Sequence, residues 1–284
     1  MRTIKKIHNA VFRPVGDLIT WSPLPTPTLA HIDPFLFLNH HGPQHYERNN
    51  DGLPFGPHPH RGMETVTFIL EGDILHKDSG GHESVIKAGG VQWMTAGKGL
   101  IHAEVSTEDF MKNGGDLELL QLWLNLPSRL KKTEPRYLGL QKNQIPAIVL
   151  DDGKVQMNLV SGEWEGEQGA FDSLTDISLC TIYFKAGGQL VLNIPLDNNI
   201  FFYVIRGRVS VNETDVKERQ LVEFEHNAEE MQILSSANSM VLLGYAEPLK
   251  EPMVAYGPFV MNSEAEIQEA YDDYRSGKLG SWQE

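Results

Sequence analysis

Histidine and glutamate recur in this chain at a spacing that suits a metal ion. His58 and His60 lie two apart in GPHPHRG, and His102 and Glu104 lie two apart in LIHAEV. On an extended strand such residues project to the same face, and inside a closed barrel that face is the cavity. Two pairs facing one interior supply three imidazole nitrogens and a carboxylate. That donor set suits a divalent first-row metal and leaves positions for water, substrate or dioxygen. Ligand roles are therefore expected for His58, His60, His102 and Glu104. Glu64 lies four residues beyond His60, so on a regular strand it shares the ligand face and competes with Glu104 for the carboxylate role. As a non-ligand, it would instead receive a hydrogen bond from a histidine ring N–H and fix its tautomer. Glu104 first, and Glu64 second, is the expected catalytic proton acceptor for a hydroxyl of a substrate at the ion.

Nine of the 11 histidines fall between positions 31 and 102, but clustering alone does not make a ligand set. His31, His40, His41, His45, His76 and His82 have no neighbour at ligand spacing and are expected to be hydrogen-bonded structural residues. Apolar walls for an aromatic substrate are expected from Phe68, Trp93, Met94 and Trp123. Gln121 shares strand parity with Trp123 and would add a polar contact. Pro59 separates the first two ligands, and proline is awkward in a central strand.

The elements that must hold these residues read as β-strands. METVTFILEG, HESVIKAGG, VQWMTAGKG, LIHAEVS and LELLQLWLNL are short runs, alternating or rich in β-branched and aromatic residues, and glycine closes most of them. Evenly spaced short strands indicate a sandwich or barrel. A second strand-rich stretch begins at ISLCTIYFKAGG and matches the first: VTFILEGDI at 66–74 lies over FFYVIRGRV at 201–209, aligning Gly72 with Gly207. Counting back from Gly207 by the offsets that separate Gly72 from His58, His60 and Glu64 reaches Asn193, Pro195 and Asn199. None of these is a strong ligand, so the second copy is expected to lack the metal.

A prior of about 150 residues per domain divides the 284 residues into two. The polar, proline-containing stretch at 127–150 reads as the linker, with an N-terminal metal-binding domain over 1–130 and a C-terminal domain over 131–284. Ser263 followed by Glu266 is a capping-box pattern that starts a helix in the tail, ending at Gly277 or Gly280.

Composition narrows the function further. A hydrophobic share of 40% excludes the signature of disorder, and 38 acidic against 24 basic residues, a net charge of -14, disfavours direct nucleic-acid binding. A protein partner, where there is one, would present a basic face. A single cysteine cannot form an internal disulfide, and no apolar run suits a signal peptide or a membrane span, so a cytoplasmic protein is expected.

HPHRGMETVTFILEG, QWMTAGKGLIHAE, LLQLWLNL and EPLKEPMVAYGPFVMN resemble, in order and along nearly the whole chain, the motifs of pirins, a family of the cupin superfamily. The resemblance implies an all-β fold of two cupin barrels (double-stranded β-helix, jelly-roll-like) with a C-terminal helix. It also implies one metal in the N-terminal barrel, held by His58, His60, His102 and Glu104. Glu64 corresponds to the general cupin carboxylate, which pirins do not use as a ligand. Iron is the expected ion, and Mn, Co, Ni, Cu or Zn also suit the donors. The activity implied is a dioxygenase acting with O2 on a small aromatic substrate, a flavonol such as quercetin (quercetin 2,3-dioxygenase type). The alternative is a non-catalytic metal-binding regulator acting through a protein partner. DPFLFLNHHGP and Tyr256 depart from the usual family pattern without touching the proposed ligands.

Overall fold

Strand follows strand along the chain in the computed structural model, which describes residues 1–282. Among the described residues there are two α-helices, Glu108–Asn113 and Glu264–Arg275. None is long and apolar enough to cross a membrane. The expected all-β class with two cupin barrels and a C-terminal helix holds.

The chain divides into two compact units. One contains Phe12–Trp21, Leu36–Lys142 and Leu249–Glu284, and the other Met1–Val11, Ser22–Phe35 and Asn143–Pro248. A single cut between 130 and 131 therefore does not describe the division, because both termini cross over in sequence. Ile4–Asn9 pairs antiparallel with Gln220–Phe224 and extends a sheet of the second unit. Val254–Tyr256 and Phe259–Met261 form a hairpin, and Phe259 bridges to Arg61. The stretch 127–150 is not a free linker either: Arg136–Leu140 pairs with Val91–Thr95, and Ala147–Leu150 pairs with Val155–Ser161.

The duplication seen in the sequence is a duplication of topology. Met63–Glu71 lies between Val91–Thr95 and Gly115–Asn125 in one seven-stranded sheet; Asn199–Arg206 lies between Gln220–Phe224 and Ser239–Ala246 in the other. Each is accompanied by a four-stranded sheet, ordered Phe55–His60, Leu100–Val105, Asp73–Asp78, Glu83–Lys87 in the first copy. The second copy runs Gly188–Asn193, Glu230–Ser235, Arg208–Val211, Thr214–Lys217. Gly72 and Gly207 occupy equivalent turns with φ of 81° and 82°, a conformation that favours glycine.

Local sequence explains these strands. Gly188–Asn193 alternates buried and exposed at every residue, as a strand with one wet face must. Met63–Glu71 is buried over its first seven residues, the polar Glu64, Thr65 and Thr67 included, so both of its faces are enclosed. The C-terminal helix starts as expected: Ser263 Oγ accepts from the Glu266 N–H at 3.3 Å, and the Glu266 carboxylate reaches back to the Asn262 N–H at 3.0 Å. Tyr271 packs edge-on against Phe259 at 4.8 Å, joining the helix to the hairpin.

Gly62 joins the strand of the first histidine pair to Met63–Glu71 and has no room for a side chain. Its φ is 77°, and a Cβ there would stand 2.0 Å from the Val260 carbonyl oxygen. Gly81, with φ of 89° and open space around it, isolates the conformational cost alone. Gly81→Ala is expected to lose about 1 kcal/mol and Gly62→Ala at least about 3 kcal/mol in denaturant unfolding. Equal losses would show that close packing at Gly62 contributes nothing.

Candidate metal centre

Phe55–His60 and Leu100–Val105 are hydrogen-bonded neighbours, and their register sets His58 directly opposite His102. The two-apart spacing then brings His60 to the same side. Candidate ligand atoms of His58, His60 and His102 lie within 4.8 Å of one another. His58 Nε2 and His102 Nε2 are 3.1 Å apart, the edge expected of two imidazoles sharing one ion at bonds of about 2.1 Å.

Proton placement makes this cluster fit a cation. The His58 Nδ1–H donates to the Gly56 carbonyl at 2.7 Å, and the His60 Nδ1–H donates to the Pro258 carbonyl at 3.1 Å. Each leaves an Nε2 lone pair, and that of His60 is buried with no hydrogen-bond partner. Burial, reinforced by His58, lowers His60 to about 3. Burial, with His60, His58 and His76 behind it, holds His102 well below the ordinary histidine value. Both rings are thus neutral donors at pH 7, the form that binds a divalent ion.

Glu104 is fully buried on the strand of His102 but is not part of the three-histidine group. Its Oε1 accepts from the Thr67 hydroxyl at 2.7 Å and from the Gln92 amide, and its Oε2 accepts from the Gln121 amide. The orientation of both amides is set by a second donor. The Tyr137 O–H donates to Gln92 Oε1 at 3.1 Å, and the Trp123 indole N–H donates to Gln121 Oε1 at 3.2 Å. Each glutamine therefore has only its NH2 to offer the carboxylate. Burial raises the pKa of Tyr137, so it remains a phenol, and it stacks on His76 at 3.8 Å.

Glu64 is placed differently from the expectation. Thr67 reaches Glu104, so odd positions of Met63–Glu71 face the centre and even positions face away. The chain turns at Gly62 into a different sheet, and strand parity counted from His60 does not continue through that turn. Glu64 accepts from the Thr95 hydroxyl at 2.6 Å, and burial pushes its carboxyl up to about 6 against the hydrogen bonds of Thr95 and Trp93. The same parity corrects two of the proposed wall residues. Phe68 and Trp93, which oppose Val91 and Val66, lie on the far face with Glu64. Met94, Gln121 and Trp123 lie on the near face, where Met94 packs with Ala96, Leu100 and Tyr137. The Trp123 ring is 5.1 Å from His60 and 4.6 Å from Phe37.

Thr67, Gln92, Tyr137 and Phe37 were not singled out in the sequence. Thr67 and Gln92 carry a signal in retrospect, as polar residues inside apolar strands, and their register pairs them directly. Of the remaining histidines, His40 bonds Glu118 at 2.7 Å, His41 bonds Thr20 at 2.8 Å, and His76 and His82 share Asp78.

The C-terminal segment holds the Pro258 carbonyl in place. Buried Lys131 donates to the carbonyls of Gly62 and Val260, both at 2.9 Å, and to Asn125 Oδ1 at 2.7 Å. Arg61 pairs with Asp273 at 2.9 Å. Burial lowers Lys131 from 10.5 to about 8. Between those values the unfolded chain binds a proton that the folded chain does not, so stability rises with pH across that window.

Two outcomes are expected. His102→Ala should retain less than about a tenth of the wild-type metal by elemental analysis, whereas His45→Ala should retain all of it. Lys131→Met should lose about 2–4 kcal/mol at pH 7, and its unfolding free energy should lack the wild-type rise above pH 8.

The family model described as Pirin matches residues 18–124, and that of the Pirin C-terminal cupin domain matches residues 179–280. Pirin-1 of Arabidopsis thaliana is 39% identical over 232 residues, covering 80% of this chain and 78% of that protein. A Pseudomonas aeruginosa protein with the provisional name quercetin 2,3-dioxygenase is 36% identical over 266 residues, covering 94% of this chain and 92% of that protein. The crystal structure of a quercetin 2,3-dioxygenase from Acinetobacter baumannii superposes with a TM-score of 0.93 at 32% identity, covering 99% of each chain.

Proposed function

The chain belongs to the pirin family, and from that premise we propose that it is a metal-dependent dioxygenase cleaving a flavonol such as quercetin. The observation that carries this reading is the cluster of three imidazoles, with a buried carboxylate surrounded by fixed donors two residues beyond His102 on the same strand. Likeness to proteins named quercetin 2,3-dioxygenase supports the choice of substrate class. His58, His60 and His102 would hold the ion, with Glu104 as the fourth donor, and iron is the ion we propose.

When bound, the ion supplies Lewis acidity toward the vicinal oxygens of the substrate and an electron partner for dioxygen. The chain's own residues do the rest. Glu104 takes the proton of the hydroxyl next to the ketone, a transfer that requires an ionised acceptor within hydrogen-bond reach. Thr67, Gln92 and Gln121 keep its oxygens as acceptors. Trp123 and Phe37 offer ring faces to a planar polyphenol. In the overall reaction both atoms of O2 enter the opened organic product, and one ring carbon leaves as carbon monoxide with the former hydroxyl oxygen.

Iron-loaded protein is expected to consume O2 and release carbon monoxide in equal amounts with quercetin; no O2 uptake with any flavonol would overturn the assignment. Glu104→Gln is expected to lower kcat by about 10²-fold or more, the range for a lost general base, with a much smaller change in KM.

A further inference from the structure

In the unit built around Asn143–Pro248, a cavity of about 580 Å³ opens on the outer face of the large sheet, a size usual for small-molecule sites. The strand register builds its lining. Val149 opposes Gln156, Gln156 opposes Tyr183, Tyr183 opposes Met240, and Met240 opposes Arg206. Directly opposed residues share a face of the sheet. Val155 and Phe184, one residue out of step, belong to the apolar core, so this row points outward. Val149 is 66% exposed and Tyr183 38% exposed, large side chains left against solvent at the cavity.

Charge distinguishes this cavity from an ordinary shallow groove. Lys154 and Lys185 continue the outward parity of Gln156 and Tyr183. The Lys185 N–H donates to the Lys154 carbonyl at 2.8 Å, so the two ammonium groups arise from opposed backbone positions. Arg206 adds a third cation, and no acidic residue lines the cavity. Among the described residues, neither lysine makes an ion pair. Asp151, the nearby acid in sequence, is turned onto the Gln189 N–H at 2.9 Å. Like charges directly opposed on a sheet repel, and Lys154 and Lys185 are so opposed here, in a chain of net charge -14. An anion lying among them removes the repulsion, and a ring attached to that anion covers Tyr183 and Val149.

We propose that this cavity binds a small aromatic anion, with its acidic group among Lys154, Lys185 and Arg206 and its ring against Tyr183, Val149 and Met240. The site is independent of the metal centre and of the reaction proposed there.

Titration of the full chain with 8-anilinonaphthalene-1-sulfonate, read by fluorescence and calorimetry, tests the proposal against uncharged N-phenyl-1-naphthylamine. One sulfonate per chain is expected, bound more weakly as salt rises. The double variant Lys154→Gln/Lys185→Gln should weaken it by about tenfold or more, with the thermal transition and metal content unchanged. Val149→Asp, which places a carboxylate at the mouth, should weaken the sulfonate in the same direction, and Tyr183→Ala should weaken both probes. Sulfonate binding that is indifferent to the lysines, or an uncharged probe bound as tightly as the sulfonate, would overturn the proposal.

Discussion

A buried imidazole lone pair with nothing to accept is costly, and the metal barrel is organised around keeping such lone pairs aimed at one point. Two backbone carbonyls do this by taking the opposite ring protons, Gly56 for His58 and Pro258 for His60. The Gly56 carbonyl is local, two residues away on the same strand. The Pro258 carbonyl comes from 198 residues further along the chain. Its placement rests on the buried Lys131 contacts, the Arg61–Asp273 pair and the seating of the helix Glu264–Arg275 on Phe259, Met261 and Leu279. The C-terminal segment is therefore part of the metal centre's scaffold, and this explains why Gly62, beneath Val260, cannot carry a side chain.

The same topology serves two opposite interiors. In the second barrel Leu192 stands opposite Met231 where His58 stands opposite His102, while Asn193, the residue reached by counting from Gly207, is exposed beside Glu230. Around that position the core is Leu190, Leu192, Ile194, Val209, Val211, Met231 and Ile233, all apolar. The first barrel instead buries Thr67, Gln92, Glu104 and His102. Buried polar groups destabilise a fold unless each is hydrogen-bonded, and here Thr67, Gln92 and Gln121 of the seven-stranded sheet reach across to Glu104 on the four-stranded sheet. One barrel thus accepts a demanding polar interior while its twin keeps an oily one, with backbone pairing common to both.

Much of this was legible in the sequence because it depends on local periodicity. The strands, the duplication, the helix cap at Ser263 and the histidine pairs all follow from spacing within a few residues. What was not legible depends on turns and on distant pairing. A single glycine, Gly62, moves the chain from one sheet to another and breaks the parity that would have put Glu64 beside His60. The pairing of Ile4–Asn9 with Gln220–Phe224 joins segments over 200 residues apart, and no periodicity announces such a partner. Phe68 and Trp93 were misplaced for a related reason: adjacent residues such as Trp93 and Met94 cannot share one face, so a wall that included both was already inconsistent with a strand.

The two buried glutamates show how parity, more than residue type, assigns chemistry. Glu64 and Glu104 stand on opposite sides of the sheet that contains Met63–Glu71, and Glu104 is on the side where Trp123 meets the His60 ring. Its environment also limits what it can meet. Because Tyr137 and Trp123 occupy the carbonyl ends of Gln92 and Gln121, both amides present N–H groups to the carboxylate, and Thr67 presents its hydroxyl proton. The carboxylate is therefore an acceptor on every side. An incoming hydroxyl finds a partner for its proton, whereas an incoming carboxylate or ketone in the same place finds lone pairs facing lone pairs. Three hydrogen bonds thus set this carboxylate to receive a proton donor and to turn away a bare acceptor, before any other contact is made.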